Sequence, residues 1–156
     1  MKTLILFGSR KGCTRKCANL VRERLGDAEA LDAANARGVD LEAYDAVVLG
    51  SSIWSGKIHP KVRGFVATRL EELLGKRIGL FICSGDEVTD HISINYPEQL
   101  VEHADVKANF GGELRIEDFG PVMRFILAKK AGVRNSYSRL KPEAISRFAA
   151  ALGAKS

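Results

Sequence analysis

The sequence predicts an α/β fold: a doubly wound, five-stranded parallel sheet with helices on both faces. Three observations predict it. The apolar runs at 4–7, 46–49 and 78–83 show no polar alternation, as strands buried on both faces require. Segments of helical periodicity lie between them. Each run then opens into a loop rich in Gly, Ser or Thr. Strands alternating with helices imply a parallel sheet covered on both sides. The chain has 156 residues, 46% of them hydrophobic and 28% charged, which is ordinary for one globular domain with room for a real core. It carries no internal repeat, linker or low-complexity stretch, so 1–156 reads as a single domain.

The elements follow in order. A strand at about 2–7 runs into Gly8-Ser9-Arg10-Lys11-Gly12-Cys13-Thr14. A helix at about 14–25 puts Cys17, Leu20, Val21 and Leu25 on one face. A weak strand is expected at 28–32 and a buried one at about 46–50. Pro60 is suited to start a helix that buries Val62, Phe65, Val66, Leu70, Leu73 and Leu74 and stops at Gly75. A strand at 78–83, a short helix at 97–103, a fifth strand at about 106–114 and a closing helix at 143–152 complete the chain.

In such a sheet, ligands bind beyond the carboxyl ends of the strands, near the switch point. The loops 9–14, 51–59 and 84–96 should therefore converge. In the first, a strand ends in a Gly- and hydroxyl-bearing turn that opens a helix, so backbone N–H groups and the helix dipole favour an anion. Gly8 and Gly12 are too close together for a triphosphate loop, and no dinucleotide fingerprint is present. Ser9, Arg10, Lys11, Gly12, Cys13 and Thr14 suit a single phosphate monoester. The alternative is an ordinary strand-to-helix turn using Gly for backbone freedom. The second loop, Ser51-Ser52-Ile53-Trp54-Ser55-Gly56, holds the only tryptophan of the chain. Beside a phosphate cradle that indole is a platform for a flat ring, or else a cover for the sheet end. In the third loop, Ser84-Gly85-Asp86, Gly85 permits close backbone approach and Asp86 can accept a ring N–H.

Cys13, Cys17 and Cys83 are an odd number without a C-x-x-C pair, so the spacing indicates neither a disulfide framework nor a metal site. Cys17 is expected to be buried. A redox role for Cys13 stays open, because a helix N-terminus lowers a thiol pKa. The three histidines have no metal-ligand spacing. His59 follows the second loop and precedes Pro60. It is the candidate catalytic residue, a proton relay of near-neutral pKa, with a solvated residue before a helix as the alternative.

Taken together, Ser9-Arg10-Lys11-Gly12-Cys13-Thr14, Ile53-Trp54-Ser55-Gly56 and Ser84-Gly85-Asp86 resemble the three cofactor loops of flavodoxins. The resemblance implies a flavodoxin-like fold and FMN as cofactor. It implies that the first loop holds the phosphate, that Trp54 stacks on the flavin, and that the Ser55-Gly56 backbone faces the ring edge. In flavodoxins a peptide there turns over when the ring gains a proton, which favours the one-electron form. Ser55 rather than Gly follows Trp54, so weaker support of that form is expected, tilting the chain towards two-electron chemistry. A narrower resemblance is to the flavodoxin-like, menaquinone-dependent protoporphyrinogen oxidases. It rests on the opening Met1-Lys2-Thr3-Leu4-Ile5-Leu6-Phe7, on Ser52-Ile53-Trp54-Ser55-Gly56-Lys57-Ile58-His59, on Phe110-Gly111-Gly112-Glu113-Leu114 and on the stretch from Met123 to Gly132. It implies an FMN oxidoreductase passing electrons from a porphyrinogen-type substrate to a quinone, with 119–140 as an inserted basic amphipathic segment. The alternative is a flavodoxin-type one-electron carrier between protein partners.

Charge bears on that choice. Twenty-four Lys and Arg against nineteen Asp and Glu give net +5. Between 119 and 147, Arg124, Lys129, Lys130, Arg134, Arg139, Lys141 and Arg147 face only Glu143. Interleaved with Phe119, Val122, Met123, Phe125, Ile126 and Leu127, they suit peripheral contact with a membrane that dissolves quinones, or a helix packed on the sheet with a solvated basic rim. The expected partners are a small-molecule redox substrate or a redox protein. No nucleic-acid motif accompanies the basic charge. The N-terminus enters a strand without a cleavage pattern, which predicts a cytoplasmic protein, peripheral to the membrane if the basic segment engages it.

Overall fold

A computed structural model describes the chain except for residues 10–11, 115–118, 131–136 and 155–156. The fold begins with β1 (Thr3–Gly8), α1 (Cys13–Leu25) and β2 (Ala28–Asp32). It continues through β3 (Ala46–Ser52), α2 (Pro60–Leu74) and β4 (Arg77–Cys83). The short helices α3 (His91–Asn95) and α4 (Glu98–His103) lead into β5 (Val106–Asn109). β6 (Glu113–Leu114), α5 (Pro121–Lys130), β7 (Tyr137–Ser138) and α6 (Pro142–Ala154) close the chain. The main sheet has the order β2-β1-β3-β4-β5 and every pairing is parallel.

Alternation along each strand splits the core into two layers. Leu4, Leu6, Val47, Leu49, Ile78, Leu80 and Ile82 pack with Val62 and Val66 of α2 and Leu100 of α4. Ile5, Phe7, Val48, Phe81 and Cys83 face α1 and α6 through Cys17, Val21, Ile145 and Phe148. On this second face Phe81 stacks on Phe110 at 4.7 Å, and Phe148 meets Phe110 edge-on at 5.2 Å. Two glycines make room. A Cβ on Gly50 would lie 2.1 Å from the Phe81 ring, and one on Gly79 would lie 2.7 Å from the Phe148 ring.

Two expectations change. The fifth strand does not run through 106–114. It ends at Asn109, Gly111 takes φ +88°, and Glu113–Leu114 pairs antiparallel with Tyr137–Ser138 in a separate two-stranded sheet. The cause is tertiary: a Cβ on Gly111 would sit 2.0 Å from the Arg139 carbonyl, so the returning chain diverts the strand. Within the loop expected at 84–96, Asp90 caps α3 by accepting the Ser93 N–H at 3.1 Å. Of the amphipathic segment expected at 119–140, a helix forms at Pro121–Lys130, and 131–136 lie outside the described residues. No helix among the described residues is long and apolar enough to cross a membrane.

Candidate functional site

The carboxyl ends of β1, β3 and β4 are adjacent because Gly8 pairs with Ser51 and Ser52 pairs with Cys83. That register brings the three loops to one edge of the sheet.

In the first loop the Ser9 hydroxyl accepts the Gly12 N–H at 2.9 Å, and Gly12 adopts φ +89°, which glycine takes at no steric cost. Gly12 is the N-cap of α1 and supplies no side chain to cap it. The first intrahelical bond is Lys16 N–H to Gly12 C=O, so the N–H groups of Cys13, Thr14 and Arg15 have no helical acceptor. Thr14 is fully buried, and its Oγ1 has no hydrogen-bond partner among the described residues. A desolvated, unpaired hydroxyl at an uncapped helix N-terminus is costly unless an acceptor arrives. Arg10 and Lys11, the other expected members of this loop, lie outside the described residues.

The second loop is a two-residue hairpin. Trp54 and Lys57 exchange backbone bonds at 2.9 and 3.1 Å, with Ser55 at φ 52° and Gly56 at φ +76°. Both central residues are left-handed, as this turn demands. Gly meets that demand freely and Ser does so with strain. Asn95 of α3 holds the hairpin in place: its Nδ2 donates to Gly56 C=O at 3.0 Å and its Oδ1 accepts the Ile58 N–H at 3.1 Å. Trp54 is 37% exposed and lies parallel to Phe119, with centroids 6.2 Å apart and planes 10° apart. Sequence reasoning grouped Phe119 with the basic segment and passed over Asn95. Neither residue carried a local signal, because both meet the loop only through tertiary contact. Ile53 leans on the core beside α2, and its N–H donates to Cys83 C=O at 3.3 Å. Ser51 Oγ accepts the His59 N–H at 2.8 Å, whereas Ser52 Oγ is a second buried hydroxyl with no partner among the described residues.

His59 is the N-cap of α2, its Nδ1 accepting the Lys61 N–H at 3.1 Å. The ring packs against Gly8, where a Cβ would approach His59 Cβ to 2.6 Å. His59 thus sits beneath the start of the first loop.

In the third loop the Asp86 carboxylate is already engaged. Oδ1 accepts the N–H groups of Val88 and Thr89 at 3.0 and 3.2 Å, and Oδ2 faces His91 Nε2 at 3.1 Å. Hydrogen bonds from the Thr89 side chain first, then from these amides, lower the carboxyl pKa to about 2. The Asp86 N–H donates to Ser84 Oγ at 3.1 Å. Asn109 ties the loop to β5 by accepting the Ser84 and Gly111 amides. Gly85 passes close to Gly112, where a Cβ would be 2.9 Å from the Gly85 nitrogen.

The cysteines also come together. The sulfurs of Cys13, Cys17 and Cys83 all lie within 4.8 Å of one another, and Cys83 Sγ is 3.5 Å from Cys17 Sγ. Hydrogen bonds from Cys17 and then Cys83 hold the Cys13 thiol far below the ordinary range, at about 4, while Cys17 and Cys83 are pushed up.

The arrangement offers backbone donors and a buried hydroxyl for an anion, an exposed indole on the loop after the adjacent strand for a flat ring, and a histidine under the cradle. A phosphate-bearing flat cofactor such as FMN fits these residues.

Comparison with known proteins agrees with that picture. The family model described as a flavodoxin domain matches residues 4–140. Protoporphyrinogen IX dehydrogenase (quinone) of Escherichia coli is 40% identical over 80 residues, which cover 47% of this chain and 44% of that protein. Flavodoxin 1 of the same organism is 38% identical over 90 residues, covering 54% and 51%. The matched stretches span about half the length of these curated relatives. A solved flavodoxin from the domain Archaea shares the fold, with a TM-score of 0.64 at 16% identity over 99% of this chain and 98% of that one.

Proposed function

We propose, from the premise that this chain belongs to the flavodoxin domain family, that it is an FMN-binding redox protein acting as an oxidoreductase from a porphyrinogen-type substrate to a quinone. The observation that carries FMN binding is the buried Thr14 hydroxyl, without a partner among the described residues, at the uncapped start of α1, with the exposed Trp54 on the loop after the adjacent strand. FMN, when bound, supplies one- or two-electron transfer.

The chain's residues do the rest. The N–H groups of Cys13, Thr14 and Arg15, with the Thr14 and Ser9 hydroxyls, hold the phosphate. Trp54 takes one face of the ring. A flat ring between Trp54 and Phe119 needs about 7 Å, twice the carbon–carbon contact distance. Their centroids stand 6.2 Å apart with planes 10° apart, within the range of a direct offset stack, so Phe119 must swing aside before a flat ring can lie on Trp54. The Asn95 bonds fix the height of the hairpin. His59 accepts at Nδ1, so a neutral ring carries its proton on Nε2, and it is the proton relay this reading assigns.

The enzyme reading is supported by α5. Val122, Phe125 and Ile126 are exposed on it, at 74%, 62% and 38%, next to Lys129 and Lys130. An apolar face with a basic end suits an anionic membrane holding quinone, or a carboxylate-bearing tetrapyrrole. The second reading, a one-electron carrier, is favoured by the 38% identity to flavodoxin 1.

An anaerobic reductive titration of the FMN-loaded protein, followed by visible absorbance, separates the two. Direct passage from oxidised to fully reduced spectra supports the enzyme, and activity with porphyrinogen and menaquinone is then measured. A large one-electron signal midway supports the carrier and refutes the argument from Ser55. Absence of a bound-flavin spectrum removes both.

A further inference from the structure

The flavin site leaves the three-cysteine cluster without a task. Cys13 and Cys17 are one turn apart on the inner face of α1, and Cys83 ends β4 opposite them. We propose that Cys13, Cys17 and Cys83 form a three-sulfur site for a thiophilic d10 metal cation of the cadmium(II) or copper(I) kind.

The distances fit. With bonds of about 2.3 Å, the zinc–sulfur length, sulfurs stand about 3.8 Å apart around a tetrahedral ion and about 4.0 Å apart in a trigonal plane, and a few tenths of an ångström further around the larger cadmium ion. The observed 3.5 Å between Cys17 and Cys83, and the 4.8 Å limit on every pair, bracket those values. The surroundings fit as well. Cys17 and Cys83 are buried in the apolar cluster that includes Phe110, Val48 and Ala18. That favours sulfur-seeking ions over Mg(II) or Ca(II). Glu113 Oε2 is already engaged, accepting from Lys16 at 3.2 Å and from the Ser138 hydroxyl at 3.1 Å. Cys13 is only half-buried and provides the entry path. Each thiol that ligates releases its proton to solvent, and no electron is transferred.

The test is a cadmium(II) titration of the reduced 156-residue chain, with and without FMN, read by thiolate-to-metal charge-transfer absorption and by protection of all three thiols from a disulfide reagent. One equivalent is expected. Cys13→Ser, at the half-exposed position, should weaken binding by at least about a hundredfold. Cys83→Ser should do the same, with its fold checked by urea unfolding. Binding that survives both substitutions, absence of the band in folded wild-type protein, or a mass loss of two hydrogens without metal uptake (a disulfide) each overturns the proposal. The readout does not use flavin, so failure of FMN binding leaves this test intact.

Discussion

Thr14→Val keeps the branched shape of a buried side chain and removes one oxygen, and its two consequences have opposite signs. Without FMN, Oγ1 is buried and has no partner among the described residues. Such a group costs about 1–3 kcal/mol, while Val and Thr have similar helix propensity. The flavin-free variant should therefore be more stable by about 1 kcal/mol, which for a chain of this size raises Tm by about 2–4 °C. In the proposed FMN complex the same hydroxyl donates to the phosphate, a charge-assisted bond worth about 1.5–3 kcal/mol. Its loss should raise the FMN Kd about ten- to a hundredfold. Calorimetry of the flavin-free protein and titration of flavin fluorescence measure the two arms. Thr14→Ser, which keeps the hydroxyl, should bind FMN nearly as wild type does. A variant that is less stable without FMN and binds it unchanged would refute the reasoning, because the hydroxyl would then serve packing alone.

Three further outcomes are expected. Gly50→Ala forces a Cβ to 2.1 Å from a Phe81 ring that Phe110 and Phe148 hold in place, so urea unfolding should show a loss of about 1–3 kcal/mol; an unchanged midpoint would contradict the packing described. Asp86 is lowered from 3.8 to about 2 on folding, so its contribution to stability is full above about pH 4 and is lost as pH falls through 2. The stability gap between wild type and Asp86→Asn should therefore close over that window, and a gap that widens in acid would reverse the assignment. Asn95→Ala leaves the Ile58 N–H and the Gly56 carbonyl unpaired, so tryptic cleavage after Lys57 should quicken and FMN affinity should fall; a hairpin that stays protected would show that Asn95 does not hold it.

The parallel sheet and the three loops at the carboxyl ends of its strands were legible in the chain because strands, helices and turns rest on local signals. Unbroken apolar runs mark strands buried on both faces, and Pro60 and Gly75 mark the ends of α2. The Gly12 turn and the lone Trp54 marked the site for the same reason: each needs only a backbone conformation or a side-chain type. The path after Asn109 was not legible, since the diversion at Gly111 is imposed by the Arg139 carbonyl, 28 positions away in sequence.

By itself, then, the sequence determined the fold class, the loops of the candidate site and the family, because periodicity, turn chemistry and motif spacing are read along the chain. Only the tertiary structure decided which groups meet. It placed Phe119 parallel to Trp54, set Asn95 under the hairpin, occupied the Asp86 carboxylate with neighbouring amides and gathered Cys13, Cys17 and Cys83 within 4.8 Å. The physical reason is that each of these depends on how strand register and helix packing bring distant residues together, and spacing along the chain carries no record of that.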